Sequence, residues 1–214
     1  DLGNARRFIS MYGPDVQHVR VWKKPWLIWE GSHWAPDDTG EVDRMAKRTI
    51  QEMYREANTI EDEKAREALL RHAMKSETSS RVRSMLDLAS TEPEITALAD
   101  SFDRDPWLLN VDNGTINLKT GEFYKHDRED RITRVANVHY DPRAKAPTWR
   151  RFLREITKGD KELIRYLQRA AGYSLTGSVK EQCLFFCFGT GQNGKSTFLE
   201  TLRELMGPYS QQAD

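Results

Sequence analysis

Apolar residues alternate over two short stretches, near residues 19–35 and 108–124, and elsewhere recur mainly at helical spacing. Asp1 to Tyr12 reads as a short helix ended by Gly13-Pro14. Val19 and Val21 alternate, Lys23-Lys24-Pro25 turns, Trp26 to Glu30 runs on, and Gly31-Ser32 turns into His33-Trp34-Ala35. That pattern predicts a β-meander. From Asp38 the period changes. Asp38 with Glu41 resembles a capping pair, and Val42, Met45, Ala46, Thr49, Ile50, Met53, Tyr54 and Ala57 follow at helical spacing. A second helix is predicted over Glu61 to Lys75, with a thin stripe of Ala65, Ala68, Leu69, His72 and Ala73, and a third from Ser80 to Ala89.

Ile95, Leu98 and Ala99, between Pro93 and Pro106, suggest a weak helix. Leu108-Leu109-Asn110-Val111 then leads through Asn113-Gly114 to Ile116-Asn117-Leu118, and Thr120-Gly121 turns into Phe123-Tyr124. Asn-Gly between alternating apolar residues is a strong hairpin signal. Arg131 to Tyr140 reads as another strand. Asp141 to Pro147 reads as a linker and sets the expected domain boundary, dividing the chain into 1–142 and 143–214. Trp149, Phe152, Leu153 and Ile156 define one helix beyond it. Leu163, Ile164, Leu167, Ala170 and Ala171 define another, stopped by Gly172 and Gly177.

The chain ends with the feature that names a ligand. The apolar run Cys183 to Phe188, expected as a strand, precedes Gly189-Thr190-Gly191-Gln192-Asn193-Gly194-Lys195-Ser196, and Thr197 to Met206 continues as a helix. Strand, glycine loop and helix are the context that a phosphate-binding loop requires. Glycines let consecutive N–H groups turn toward phosphate oxygens, and the helix starting near Gly194 aims its positive end at the same anion. Lys195 is expected to reach the β- and γ-phosphates of ATP, and Ser196 to place its hydroxyl on Mg²⁺. Asn193 is read as a prop for the loop.

Composition changes this picture little. The 214 residues suit one or two domains, and 33 basic against 33 acidic residues create no global field favouring nucleic acid. The hydrophobic fraction of 38% suits a helix-rich chain within a larger assembly. No stretch approaches a membrane span and no signal peptide opens the chain. The first residue is Asp1 rather than Met, so the N-terminus is read as a cut end. Two cysteines on one expected strand point to a reducing compartment.

The segments Asp1-Leu2-Gly3-Asn4-Ala5, Trp29 to Trp34, Leu108 to Gly114 with Leu118 to Gly121, and Arg169 to Gly177 precede the loop in order. Together with Gly189 to Thr197 they resemble the C-terminal half of phage and plasmid primase–helicases, the group related to the poxvirus primase–helicase. The resemblance implies a superfamily 3 helicase: a homo-hexameric ring that acts on single-stranded or forked DNA in replication, in the cytoplasm of a bacterial host. It implies an α+β pre-helicase domain, a helical bundle with small antiparallel sheets, followed by the truncated start of an α/β AAA+-like domain. Carried over by position, the nucleotide residues are Gly189, Thr190, Gly191, Gln192, Asn193, Gly194, Lys195, Ser196 and Thr197, with Lys195 and Ser196 as the catalytic pair. The acidic, sensor and arginine-finger residues of the family are expected downstream, and a primase domain upstream, so the chain is expected to be a fragment that does not itself hydrolyse ATP.

Other readings compete. The first ~140 residues suit a non-catalytic module for oligomerisation or primase docking, and a small kinase also uses a phosphate loop. Trp22, Trp26, Trp29 and Trp34 with Lys23 and Lys24 could stack single-stranded bases, but alternation favours an aromatic core. Arg143, Lys145, Arg150, Arg151 and Arg154, like Arg81 and Arg83, are read as solvated rather than phosphate-binding. Cys183 and Cys187 are expected as buried small hydrophobes, and Asp103 and Asp105 as part of an Asx-turn loop before Trp107.

Overall fold

The computed structural model describes residues 1–189 and 191–212. Among them the fold is α+β, with seven α-helices and two three-stranded antiparallel sheets. The chain forms two compact units: Asp1–Glu30 with Trp34–Phe102, and Gly31–His33 with Asp103 onward. The Asp141-to-Pro147 linker lies within the second unit.

The first unit opens with α1 (Leu2–Tyr12), which ends at Gly13-Pro14 as the sequence predicts. The meander β1 (Val16–His18), β2 (Trp26–Trp29) and β3 (Trp34–Pro36) follows, with Gln17 opposite Leu27 and Ile28 opposite Ala35. β1 starts earlier than the Val19–Val21 alternation suggests, because Val19 turns away and buries itself with Leu27, Trp34, Ala97 and Phe102. The tryptophans are core residues. Trp22 and Trp29 pack against that cluster, Trp34 is buried within it, and Trp26 packs on the larger helical core.

Three helices, α2 (Glu41–Ala57), α3 (Glu63–Ser76) and α4 (Ser79–Ala89), match the periodic segments closely. The expected stripe of α2 is inward, with Ala46, Ile50 and Met53 beside Phe8 of α1 and Met85 of α4. The cap of α2 differs from the expected Asp38–Glu41 pair. Asp37 does the capping: its carboxylate accepts the N–H groups of Glu41 at 2.8 Å and Val42 at 2.9 Å. Gly40, at φ 75°, lets the chain turn so that Asp37 reaches them. Asp38 instead pairs with Lys24. A buried polar chain fastens α1 to α3. Asn4 donates to the Ser76 hydroxyl at 2.9 Å, and His72 Nε2 lies 2.8 Å from Asn4 Oδ1.

The weak helix expected near Ile95 does not form. His18 N–H donates to the Ile95 carbonyl and Ala97 N–H donates to that of His18, so this stretch is held alongside β1. Pairing supplies the backbone partners that a short helix between prolines would leave unmet.

The second unit begins with the meander β4 (Leu108–Val111), β5 (Gly114–Asn117) and β6 (Phe123–Tyr124). The hairpin is where the Asn-Gly signal places it, but its register is one residue earlier. Val111 faces Gly114, so Asp112-Asn113 is the two-residue turn. A Cβ on Gly114 would lie 2.3 Å from the Tyr124 carbonyl oxygen, which explains a glycine inside this strand. The strand expected over Arg131 to Tyr140 is instead an irregular segment with one bridge, Ala136 beside Val111. Arg131 adopts a left-handed conformation (φ 49°) that interrupts any extended run.

Three helices complete the unit: α5 (Pro147–Ile156), α6 (Lys161–Ser174) and α7 (Lys195–Met206). Pro147 opens α5 at a position where its missing N–H costs nothing. Asp160 caps α6 through Glu162 and Leu163 N–H at 2.9 and 3.1 Å. α6 continues past Gly172, since a helix interior tolerates one glycine at a cost of about 1 kcal/mol.

The largest departure is at Cys183 to Phe188. These residues belong to neither sheet, and Leu184, Phe186 and Phe188 are 89%, 81% and 84% exposed. Cys183 and Cys187 are free and exposed rather than buried. A strand needs a neighbour to answer its N–H and C=O groups, and this run pairs with neither described sheet.

Asp37→Ala should lower stability by about 1 kcal/mol, read as the urea midpoint. Burial pulls the Asp37 pKa upward, but the N–H groups of Val42, Glu41, Thr39 and Gly40 outweigh it and hold the pKa below the usual carboxylate range. Its contribution is therefore present above the unfolded-state pKa and lost as pH falls through the lowered folded value. The difference in stability between the parent protein and the variant should shrink in that acid window and stay constant near neutrality.

Candidate nucleotide-binding site

The loop that leads into α7 is shaped by residues that tolerate left-handed backbone. Gly191 has φ 100°, Gln192 φ 45° and Gly194 φ 81°. Gln192 holds an uncommon conformation for a residue with a Cβ, and such strain persists only where surroundings impose it. At Gly189 a Cβ would lie 2.1 Å from Asn193 Nδ2, so a side chain there would displace the Asn193 amide. Gly194 is needed for its left-handed backbone and for space, since its Cβ would lie 2.5 Å from Ile156 Cγ2 of α5. The loop thus sits directly against α5. Thr190 lies outside the described residues.

Lys195 reaches back across the loop. Its Nζ donates to Asn193 Oδ1 at 2.8 Å and to the Gly189 carbonyl at 3.3 Å. Asn193 and Lys195 are thus tied to each other across the loop, where the sequence reading made Asn193 a prop for the loop itself. Ser196 and Thr197 are exposed on the first turn of α7. The N-cap is Gly194, which has no side chain to accept the first-turn N–H groups, and that turn carries no acidic residue. Such a helix start presents unanswered donors and a positive dipole end to an anion. An ammonium, a helix start without a side-chain cap and an exposed hydroxyl thus lie together at this end of α7.

α7 is seated on its neighbour by aromatic stacking. Phe198 is buried, and its ring lies 5.5 Å from Trp149, which lies 5.3 Å from Phe152. An apolar groove of about 860 Å³ runs between α5, α6 and α7, lined by Trp149, Leu153, Leu167, Phe198 and Leu202.

The far end of α7 is fastened by residues that sequence reasoning did not single out. The turn Gly207–Tyr209 carries the Tyr209 hydroxyl to β4, where it accepts the Asn110 N–H at 3.2 Å and donates to the Arg134 carbonyl at 3.1 Å. Burial pushes the Tyr209 pKa up to about 12, so the hydroxyl keeps its proton. Asn110 is itself fully buried. Its Nδ2 donates to the carbonyls of Ser32 (2.7 Å) and Arg134 (3.2 Å), and its Oδ1 accepts from Thr115 (3.1 Å) and lies 2.7 Å from His126 Nδ1. A polar residue between Leu109 and Val111 on an apolar strand was the only local signal of this hub.

The remaining candidates stay apart from the loop. Asp105 forms the expected Asx-turn with Trp107 N–H at 2.9 Å, and Asp103 accepts the Thr133 N–H at 2.8 Å. Burial raises the pKa of nearby Asp130, aided by Asp127 and Asp105, although the Tyr124 hydroxyl donates to it at 3.0 Å. Among the described residues no group of three or more His, Cys, Asp or Glu side chains could hold a metal ion. Arg143, Lys145, Arg150, Arg151 and Arg154 are exposed, and Arg151 lies 3.9 Å from Glu155. Among those residues no helix is long and apolar enough to cross a membrane.

Residues 5–158 match the family described as D5 N terminal like, which takes in both sheets and the first five helices. The chain belongs to this family. It is a member of the D5-like primase–helicase group, and the matched region is the part that precedes the loop. A second similarity is to "Putative helicase L207/L206" of Acanthamoeba polyphaga mimivirus, 27% identical over 111 residues. That alignment takes in 50% of this chain and 12% of the viral protein, so the chain spans a small part of its relative's length.

Asn110→Ala should cost about 3 kcal/mol, because it strands buried hydrogen-bonding groups of Thr115 and His126 as well as leaving a cavity. Chemical denaturation checks this. Gly194→Ala should destabilise the seating of α7 by about 1–2 kcal/mol from the left-handed backbone alone, with added strain against Ile156. Faster amide exchange in α7 than in α2 is the expected signature.

Proposed function

We propose that this chain is the nucleotide-loop-bearing part of an ATP-dependent DNA helicase of the primase–helicase type. The observation that carries the reading is the loop itself: Lys195 held across glycines at the uncapped start of α7, within a chain of the D5-like family. In this reading residues 1–142 form the pre-helicase domain and residues 143–214 the start of the ATPase domain. Gly189, Thr190, Gly191, Gln192, Asn193 and Gly194 wrap the phosphates, with Thr197 beside them. Lys195 neutralises phosphate charge, and Ser196 places its hydroxyl on Mg²⁺. The ATP-bound strand–loop–helix arrangement requires Cys183 to Phe188 to join a parallel sheet, which matches the bare apolar character of that run.

The full-length protein is assigned forked or single-stranded DNA as substrate, a homo-hexameric ring as its assembly and replication as its setting. These assignments rest on the family and on the viral relative's printed designation as a helicase. The exposed tryptophan platform for bases is dropped, because those rings fill two cores.

Isothermal calorimetry of this chain should show magnesium-dependent uptake of ATP that Lys195→Ala reduces at least tenfold, about 1.4 kcal/mol. In the full-length helicase the same substitution should abolish ATP turnover. Undiminished binding and turnover in the Lys195 variant would refute the assignment.

A further inference from the structure

We infer that the Tyr209 hydroxyl is a positioning group for the phosphate loop, coupling nucleotide binding to the edge of the β4–β5–β6 sheet. This rests on the reading of the loop as a nucleotide site. The geometry that carries it is an inserted hydroxyl. Along the free edge of β4, the segment from Arg134 to Val138 pairs directly: Ala136 N–H donates to the Asn110 carbonyl at 2.9 Å, and Asp112 N–H donates to the Val138 carbonyl at 3.0 Å. One step earlier that direct pairing is replaced. The Asn110 N–H and the Arg134 carbonyl are bridged by Tyr209, which accepts from the first and donates to the second. The side chain that completes this edge therefore comes from the end of the helix that begins at the loop.

α7 is a stiff lever between the two places. Its twelve residues extend about 18 Å, with Lys195 at one end and Gly207–Tyr209 at the other. Gly207 makes the sharp exit possible, at φ 50° and ψ −122°, a conformation that suits glycine. Trp149 and Phe198 supply a pivot near the loop end. At the far end the half-buried Tyr209 packs against the Leu109, Val111 and Ala136 cluster, and the two hydrogen bonds of its hydroxyl fix how that end meets β4. A phosphate drawn onto the first turn of α7 pulls on a helix whose other end is bonded into β4. By linkage, ordering either end favours the other by the same factor.

The test uses the 214-residue chain, with ATP and Mg²⁺ as the probe. Tyr209→Phe keeps the ring and removes the bridge. Gly207→Ala keeps the hydroxyl and disturbs the turn that delivers it. Calorimetry should give an affinity for Mg-ATP lowered about fivefold in each variant. The change in Asn110 amide exchange on adding nucleotide, rather than the rate itself, is the second readout, because loss of stability alone speeds exchange with and without nucleotide. In the parent protein Mg-ATP should slow it, and in Tyr209→Phe the rate should be the same with and without nucleotide. Parent-like affinity in both variants, or nucleotide-dependent protection that survives in Tyr209→Phe, overturns the inference while leaving the nucleotide site standing. A parent protein that takes up no Mg-ATP overturns the nucleotide reading and this inference together.

Discussion

A buried carboxamide must have every donor and acceptor answered, and the second unit is arranged around that requirement at Asn110. Its side chain occupies four partners drawn from separate parts of the chain: Ser32, Thr115, His126 and Arg134. Its main-chain N–H takes a fifth, Tyr209. Each net hydrogen bond is modest, about 1 kcal/mol, but each unmet group in that place costs more than the bond contributes. The hub therefore acts less as glue than as a specification. It excludes arrangements in which the 134–138 segment, the β4–β5 hairpin or the turn after α7 is displaced.

The glycine loop before α7 is seated against α5. Its glycines are placed by two contacts, Gly194 against Ile156 and Phe152, and Gly189 against Asn193. Lys195 spends its donors on the loop's own oxygens. Those acceptors are an amide and a carbonyl, weaker partners for an ammonium than a phosphate oxygen. The bare run before the loop shows the complementary constraint. Cys183 to Phe188 has the composition of a strand buried on both faces, and composition alone cannot provide the edges that such a strand pairs with.

Much of the first unit was legible from spacing. All of the stripe from Val42 to Ala57 except Tyr54, which is half-buried at its margin, falls on the buried face of α2, because a helix that buries a single face must repeat its apolar positions. The Asp112-Asn113 hairpin was legible to within one residue, the shift arising because Gly114 is needed where Tyr124 crosses it. Less legible were the segments that pair without forming regular ladders. Thr96 to Ala97 and Arg134 to Val138 are short and of mixed polarity, and what they pair with is far away in sequence. Asp37, one residue from the expected cap, wins because Gly40 turns the backbone so that its carboxylate meets two N–H groups.

By itself the amino-acid order determined the helices with strong periodicity and the two meanders, because each depends on residues close together along the chain. Tertiary structure alone decided the partners of the polar residues. Asn4 finds Ser76, Asn110 finds Tyr209, and Asp103 finds Thr133. Those choices depend on which distant groups burial brings within about 3 Å of each other, a relation that no local pattern encodes.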